Sequence, residues 1–318
     1  MIKINPVIQP LQTTAPAFNV ATHDGKFHAD EITALAVLTY LRWTMAVYRT
    51  RDVEILKHMD LCIDVGGGPF DHHAKDSQRY RENGMPLASA GLVWQAYGEQ
   101  YVRQLLKERF TTLDDAAVQN AVLAVDRTII EPIDAQDCGV VHPGRHCLNW
   151  IASFNTSGAY DRLDMGFSEA VHIACTVLKK EIQAIIARIA ARDTVAKQLE
   201  ALDTLQGVFP RESGILTLKV FVPWIESLQQ LDPDETIKLV VFQDMSGAWR
   251  VQAVPKAGAE RFVNRITLPE AWRGKDVAEL VEITGVSDVH FCHVAGFIAG
   301  AATQEGALAL AQQALQAA

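Results

Sequence analysis

Short apolar runs alternate with longer helical patterns through the first 130 residues, and this alternation restricts the fold more than any other feature. "FNVAT" (18–22), "MAVYRT" (45–50) and "LCIDV" (61–65) read as buried strands. "DEITALAVLTYLRW" (30–43), "LASAGLVWQAYGEQYVRQLL" (87–106) and "DDAAVQNAVLAVDRTI" (114–129) carry the apolar spacing of helices, the first an amphipathic helix entered at Asp30. Parallel strands need crossovers, and helices supply them. The expectation is an α/β domain with a mostly parallel sheet covered on both faces.

From about 168 to 203 the chain has neither Gly nor Pro and reads as one continuous helix, a strut on which the first domain ends. "QGVFPRESG" (206–214) has linker punctuation. Beyond it, "ILTLKVF", "IKLVVFQD" and "WRVQAVP" read as strands, "KDVAELVEITG" as a helix and "SDVHFCHVAGFIAG" as a strand feeding a glycine turn. Domains at 1–205 and 206–318 follow, the second a smaller α+β unit. Residues 1–17 read as a loosely held arm.

Of the 318 residues, 49% are hydrophobic and 21% charged, with a formal net charge of −9. That suits a packed globular chain and argues against coating duplex DNA by bulk charge. The first twenty residues lack a basic start before an uninterrupted apolar core, so no signal peptide is read, and no apolar run approaches the ~20 residues of a membrane span. The five cysteines are scattered without a CxxC pair, which fits reduced thiols in a cytoplasmic protein.

Four polar clusters sit where strands and helices end. "THDGKFHADE" (22–31) places His23, His28 and Asp30 in one strand-to-helix turn, the position at which open α/β sheets bind ligands. Asp30 alone would read as a helix cap. Asp64 closes "LCIDV" just before three glycines, either as a turn former or as a ligand. Asp71, His72 and His73 follow, with one imidazole free to ligate, the next to face substrate, and Asp71 to orient the pair. Asp134 and Asp137 follow the third helix, where an acidic pair is common in solvated loops. His23, His28, Asp30, Asp64, His72 and Asp137 exceed the four ligands of a structural zinc site and include no thiol. Carboxylates with imidazole suit Mn²⁺ or Mg²⁺, with Fe²⁺ or Co²⁺ as alternatives. Six donors suggest two divalent ions about 3.5–4 Å apart, an arrangement that activates water and steadies a phosphoryl displacement.

Those motifs, with "RTRD" (49–52), "SAGLVW" (89–94), "IDAQDCG" (133–139), "PWIESL" (223–228), "RFVNRITLPEAWRG" (261–274) and "HVAGFIAG" (293–300), resemble the Myg (melanocyte proliferating gene) family, a branch of the DHH phosphoesterases. The resemblance spans nearly the whole chain in order. It implies a two-domain DHH phosphoesterase-like fold, a di-metal site usually holding Mn²⁺ in the N-terminal domain, and 3′→5′ exonuclease activity on RNA. By position, His23, His28 and Asp30 match the first motif, Asp64 the second and Asp71-His72-His73 the third. Asp137 is preferred to Asp134 for the fourth because "DCG" resembles the Asp-x-Gly of its relatives. His28 follows His23 by five residues, where the superfamily's usual first motif places an Asp after four.

The expected reaction is phosphodiester cleavage of single-stranded RNA or short oligonucleotides, with His73 meeting the attacked phosphate or protonating the leaving oxygen. A small phosphate ester or pyrophosphate is the rival substrate, and a non-catalytic RNA-binding protein the rival class. Ser89, at a helix start, is an anion-site candidate or an ordinary cap. His293 is a candidate contact to phosphate or base, with Gly296 letting backbone approach closely. Residues 250–275 hold six Lys/Arg, among them Arg250, Arg261 and Arg265, against Glu260 and Glu270. That basic stretch reads as a polyanion track or a solvated face. Oligomeric state is left open.

Overall fold

The computed structural model describes residues 18–41, 45–73, 78–108, 113–155, 165–204, 213–260 and 262–318. The expected arm at 1–17 and most of the expected linker fall outside them. Two compact units divide the chain, Met1–Ile186 and Ala187–Ala318.

The first unit is built on a three-stranded parallel sheet in the order β2-β1-β3, formed by β1 (Phe18–Thr22), β2 (Met45–Arg49) and β3 (Leu61–Cys62). Because β1 is central and all three run the same way, the chain leaves β1 and β3 on one shared edge. The expected strand at 61–65 is cut short. Ile63 makes a single bridge to Phe70, and Asp64 turns into the left-handed region at φ 59°. Few side chains other than Asn and Asp tolerate that conformation, so its use at a buried acid points to function.

Helix α1 (Ala29–Tyr40) follows β1 and packs on α3 (Ser89–Glu108). It is not the one-sided amphipathic helix expected: every residue from Ala29 to Leu38 is buried. A short helix α2 (Val53–Leu56) lies between β2 and β3. Helix α4 (Asp115–Val125) runs through a π-helical turn (Asp126–Ile130) into α5 (Glu131–Asp137). Asp134 and Asp137 therefore sit on a helix, not in a solvated loop. A 3₁₀ helix, Cys147–Phe154, precedes the long helix α6 (Met165–Thr204).

The division between the units falls inside α6, whose Val195 and Leu199 pack in the second unit with Leu216, Trp224 and Val240. There a five-stranded mixed sheet runs β4-β5-β6-β8-β7, from β4 (Ile215–Leu218), β5 (Leu239–Gln243), β6 (Trp249–Ala253), β7 (Val289–Cys292) and β8 (Ile298–Ala301). Helices α7 (Trp224–Leu231), α8 (Val277–Thr284) and α9 (Gln304–Gln316) complete it. Among the described residues no helix is long and apolar enough to cross a membrane.

Candidate active site

The edge shared by β1 and β3 gathers the imidazoles and carboxylates. His23 leaves β1 directly, and its Nε2 stands 3.2 Å from Asp64 Oδ2 and 3.2 Å from Glu31 Oε1. His72 bridges two acids, with Nδ1 3.4 Å from Asp64 Oδ1 and Nε2 3.1 Å from Asp137 Oδ2. His28 Nδ1 lies 3.5 Å from Asp137 Oδ1, and His73 Nδ1 3.0 Å from Asp64 Oδ1. Asp30 is the second residue of α1, fully buried behind Asp64, Glu31 and Asp137; it does not cap the helix, because His28 precedes it there. Donor atoms fall into three overlapping groups: His23, His28, Glu31 and Asp64; Asp64, His72 and His73; and His28, Asp30 and Asp137. Asp64 and His28 each belong to two.

Local bonds hold this arrangement. The His28 N–H donates to both oxygens of Glu31 (2.9 and 3.0 Å), tying the turn to α1. Arg49, from β2, donates its Nε–H to the His23 carbonyl (3.3 Å) and also bonds the Gly25 carbonyl. Asn155 Oδ1 accepts from the Phe27 N–H at 2.9 Å. Asp71 accepts from the N–H groups of Gly67 (2.7 Å) and His73 (2.9 Å) and lies 3.3 Å from His73 Nδ1, which gives it the orienting place expected. Asp134 is drawn elsewhere: Oδ2 accepts from Arg81 at 2.7 Å and Oδ1 from the Gly91 N–H at 3.0 Å. Position 91 must be glycine, since a Cβ there would stand 2.0 Å from Asp134 Oδ2. Asp137, one turn on, is the acid that faces the site.

The electrostatics are those of crowded acids whose counter-charge comes from the imidazoles beside them. Burial drives the Asp30 carboxyl well above its ordinary pKa, and the charges of Asp64, Glu31 and Asp137 add to that. Burial alone would lower His23, but the carboxylates of Asp64 and Glu31 facing it outweigh that and raise the imidazole to about 10. His72 is likewise raised against its burial, chiefly by Asp137 and Asp64. Asp137 is lowered despite burial because His72 and His28 face it.

The donor set fits divalent cations. Both Asp64 oxygens, Asp30 Oδ1, His23 Nε2 and His72 Nδ1 are buried without a hydrogen bond, although several lie at ion-pair distance from one another. Distances near 3.2 Å without hydrogen-bond geometry are those of atoms that share a third partner. The His23 Nδ1 lies 2.9 Å from the Asp24 carbonyl; donating its proton there leaves the Nε2 lone pair aimed at the acids, the tautomer a metal ligand requires.

Four expected substrate contacts have partners or close neighbours within the protein. Ser89 is fully buried and its N–H points at Asp30 Oδ2 (3.4 Å), so it offers no anion site and backs the acid cluster instead. Arg265 is 1% exposed and locked onto Asp232 and the Ile237 carbonyl, a structural ion pair. Arg250 pairs with Asp244 at 2.6 Å through Nη2 and stacks over Phe291, while its Nη1 is buried without a hydrogen bond. Gly296, at φ 66°, stands close to Arg273, whose Nε would lie 2.5 Å from an added Cβ. His293 is exposed, with Nδ1 accepting from the Ala295 N–H (3.0 Å). Arg261 lies outside the described residues. The sequence reading missed Glu31, although His28-x-x-Glu31 has capping-box spacing and could have drawn notice.

Fold and site together define an α/β protein with a buried imidazole–carboxylate cluster at the carboxyl edge of a parallel sheet, suited to divalent ions. A family model, MYG1_exonuc, described as an uncharacterised protein family (UPF0160), matches residues 19–315. The chain belongs to that family. It is 30% identical to the MYG1 exonuclease of Bos taurus over 93% of this chain and 84% of the relative. The MYG1 exonuclease of Homo sapiens is 29% identical over 93% and 85%, and the MYG1 protein of Dictyostelium discoideum 30% over 92% and 94%. A solved structure, the pGpG-specific phosphodiesterase PggH from Vibrio cholerae, aligns over 94% of this chain and 99% of its own at 10% identity. Its TM-score of 0.26 carries no argument. The exonuclease names of these relatives support a hydrolase of the nuclease kind.

Proposed function

We propose that this chain is a metal-dependent phosphodiesterase of the DHH type that removes nucleotides from the 3′ end of RNA or short oligonucleotides. The observation that carries the reading is Asp64: a buried carboxylate in left-handed backbone, faced by three imidazoles, with neither oxygen hydrogen-bonded. His23, Glu31 and Asp64 would hold one cation, and His28, Asp30 and Asp137 a second, with His72 beside Asp64 and Asp137. Mn²⁺ suits the mixture of imidazole and carboxylate, and Mg²⁺ is the alternative. When bound, such ions supply an activated water and offset charge at the phosphate.

The chain's own residues do the rest. His73 has a side chain 61% exposed and is anchored at Nδ1 by Asp64 and Asp71, so it is held on the open face of the cluster. There it meets a phosphate oxygen and delivers a proton to the leaving oxygen. Asp71 fixes the ring's direction.

The pairing of Arg250 and Arg265 favours a second reading, in which short oligonucleotides or small phosphate esters are preferred to long strands. Metal-reconstituted protein incubated with 3′- and 5′-labelled RNA, DNA, dinucleotides and pyrophosphate decides between them. Stepwise loss from the 3′ end of RNA is expected. Release from pyrophosphate alone would overturn the nuclease reading.

A further inference from the structure

Immediately beyond Asp137 the surface opens into a groove of about 270 Å³ whose lining includes Gln136, Gly139, Val141, His142, Arg145 and Asn149. Gln136 and Gly139 flank Asp137 in sequence, so the groove is lined by the chain on either side of the acid that faces the cluster. Its walls are fixed. Asn149 Nδ2–H groups donate to Gln136 Oε1 (2.8 Å) and the Pro132 carbonyl (3.1 Å), which pins the 3₁₀ helix Cys147–Phe154 against α5. His142 sets the loop through Glu131, 3.1 Å from its Nε2, and through the Gly144 N–H, which its Nδ1 accepts at 3.0 Å.

Arg145, in the lining, and Trp150, one residue beyond it, are set out to solvent. Arg145 is exposed, and among the described residues no carboxylate pairs with it, in contrast to Arg250 and Arg265 of the second unit. Trp150, next after the lining residue Asn149, is 66% exposed and braced edge-on by Phe154 at 5.1 Å between ring centres. A tryptophan this open on a rigid helical turn forgoes the burial its area would gain. Beside a phosphate-cleaving site, an unpaired guanidinium and a braced indole are the two elements that grip a single strand, one for its phosphates and one for its bases.

We propose that this groove is a nucleotide subsite, in which Trp150 stacks on a base next to the scissile phosphate and Arg145 holds the following phosphate. The inference rests on the phosphodiesterase reading and makes it specific: the substrate is recognised from the first unit, by a base-stacking surface tolerant of sequence.

The test uses the Mn²⁺-loaded full chain with oligoadenylate of five nucleotides and with an abasic oligomer of the same length. Trp150→Ala should raise KM for oligoadenylate about tenfold, in line with loss of one base stack, and leave kcat and the abasic oligomer unchanged. Trp150→Phe should restore most of the loss. Arg145→Ala should weaken both oligomers equally. In the absence of metal, oligoadenylate should quench the wild-type tryptophan fluorescence, and Trp150→Phe should abolish that change. Equal kinetics for wild type and Trp150→Ala, with no quenching, would overturn the subsite, as would a Trp150→Ala variant whose only change is loss of a dimer. If wild type cleaves neither oligomer yet quenching depends on Trp150, the subsite stands and the phosphodiesterase reading falls.

Discussion

Two regions of this chain bury charge, and they do so in opposite ways. In the second unit, Arg265 and Asp232 are 1% and 0% exposed and nearly every polar atom is used: Asp232 accepts from the N–H groups of Thr236 (3.1 Å) and Ile237 (2.9 Å) besides the guanidinium. In the first unit, Asp64 is as deeply buried and neither oxygen has a hydrogen bond, while Asp30 stands behind it, its Oδ1 also unbonded. A buried ion pair that satisfies itself asks for nothing further and serves the fold. A buried cluster of like charges left unsatisfied costs stability, and persists where a ligand supplies what the protein withholds. Burial and charge are common to both regions; satisfaction separates them.

The largest expected effect breaks the unsatisfied side of this comparison. Asp64→Asn removes one of the crowded negative charges with almost no change of shape. Activity should fall on the order of 10³-fold, because a group acting at the charge centre of the reaction is lost. The metal-free protein should change little in unfolding temperature, since relief of repulsion from Asp30 and Asp137 is offset by lost attraction to the raised imidazoles of His23 and His72. Thermal unfolding in chelator, set beside a rate assay, checks both. A marked fall in metal-free stability would place Asp64 with Asp232, as a residue of the fold.

What the sequence disclosed follows the same division. His23, His28, Asp30, Asp64, His72 and Asp137 were legible because strand ends and the turns after them are local events, and parallel strands bring those ends to one edge. The choice of Asp137 over Asp134 depends on Arg81, 53 residues away from Asp134, and on the bare backbone of Gly91. The "DCG" resemblance points to Asp137, but nothing local explains why Asp134 turns away. Arg265 was misread for the same reason: its partner lies 33 residues upstream, and composition counts cations without pairing them. The left-handed turn at Asp64 was hidden because the apolar run "LCIDV" continues through it. Glu31 was overlooked since an acid in a first helical turn is ordinary, and only the fold shows it reaching back to His23.

The next effect concerns the proton that occupies the cluster without metal. His23 is raised from 6.5 to about 10, so the metal-free fold holds it protonated at neutral pH. That contribution to metal-free stability is full below 6.5 and is lost as pH rises through 10. A cation must displace the same proton. Its affinity should therefore rise with pH by about tenfold per unit for each proton displaced, and binding should release protons. Calorimetric titration of Mn²⁺ at pH 7 and pH 8, in buffers of different ionisation heat, reads both quantities. Affinity independent of pH would mean that His23 is not displaced and lies outside the ligand set.

The smallest effect belongs to the satisfied side. Arg250 lies in a basic stretch of sequence, which by composition alone would track a polyanion. In the fold its guanidinium is 2.6 Å from Asp244 and lies over the ring of Phe291, 5.1 Å from its centre. Reaching a phosphate would require leaving both partners, with one charge pair exchanged for another and little net gain. Arg250→Ala should therefore change oligonucleotide affinity by no more than about twofold and leave its salt dependence alone, whereas a direct phosphate contact on a single strand contributes about 0.7 to the slope of log K against log salt. Affinity measured for wild type and variant across a range of salt concentrations settles the point. A slope reduced by that amount would return Arg250 to the substrate track and show that its pairing with Asp244 gives way when nucleic acid arrives. An unchanged slope would leave strand recognition to groups such as Arg145, with which no carboxylate pairs among the described residues.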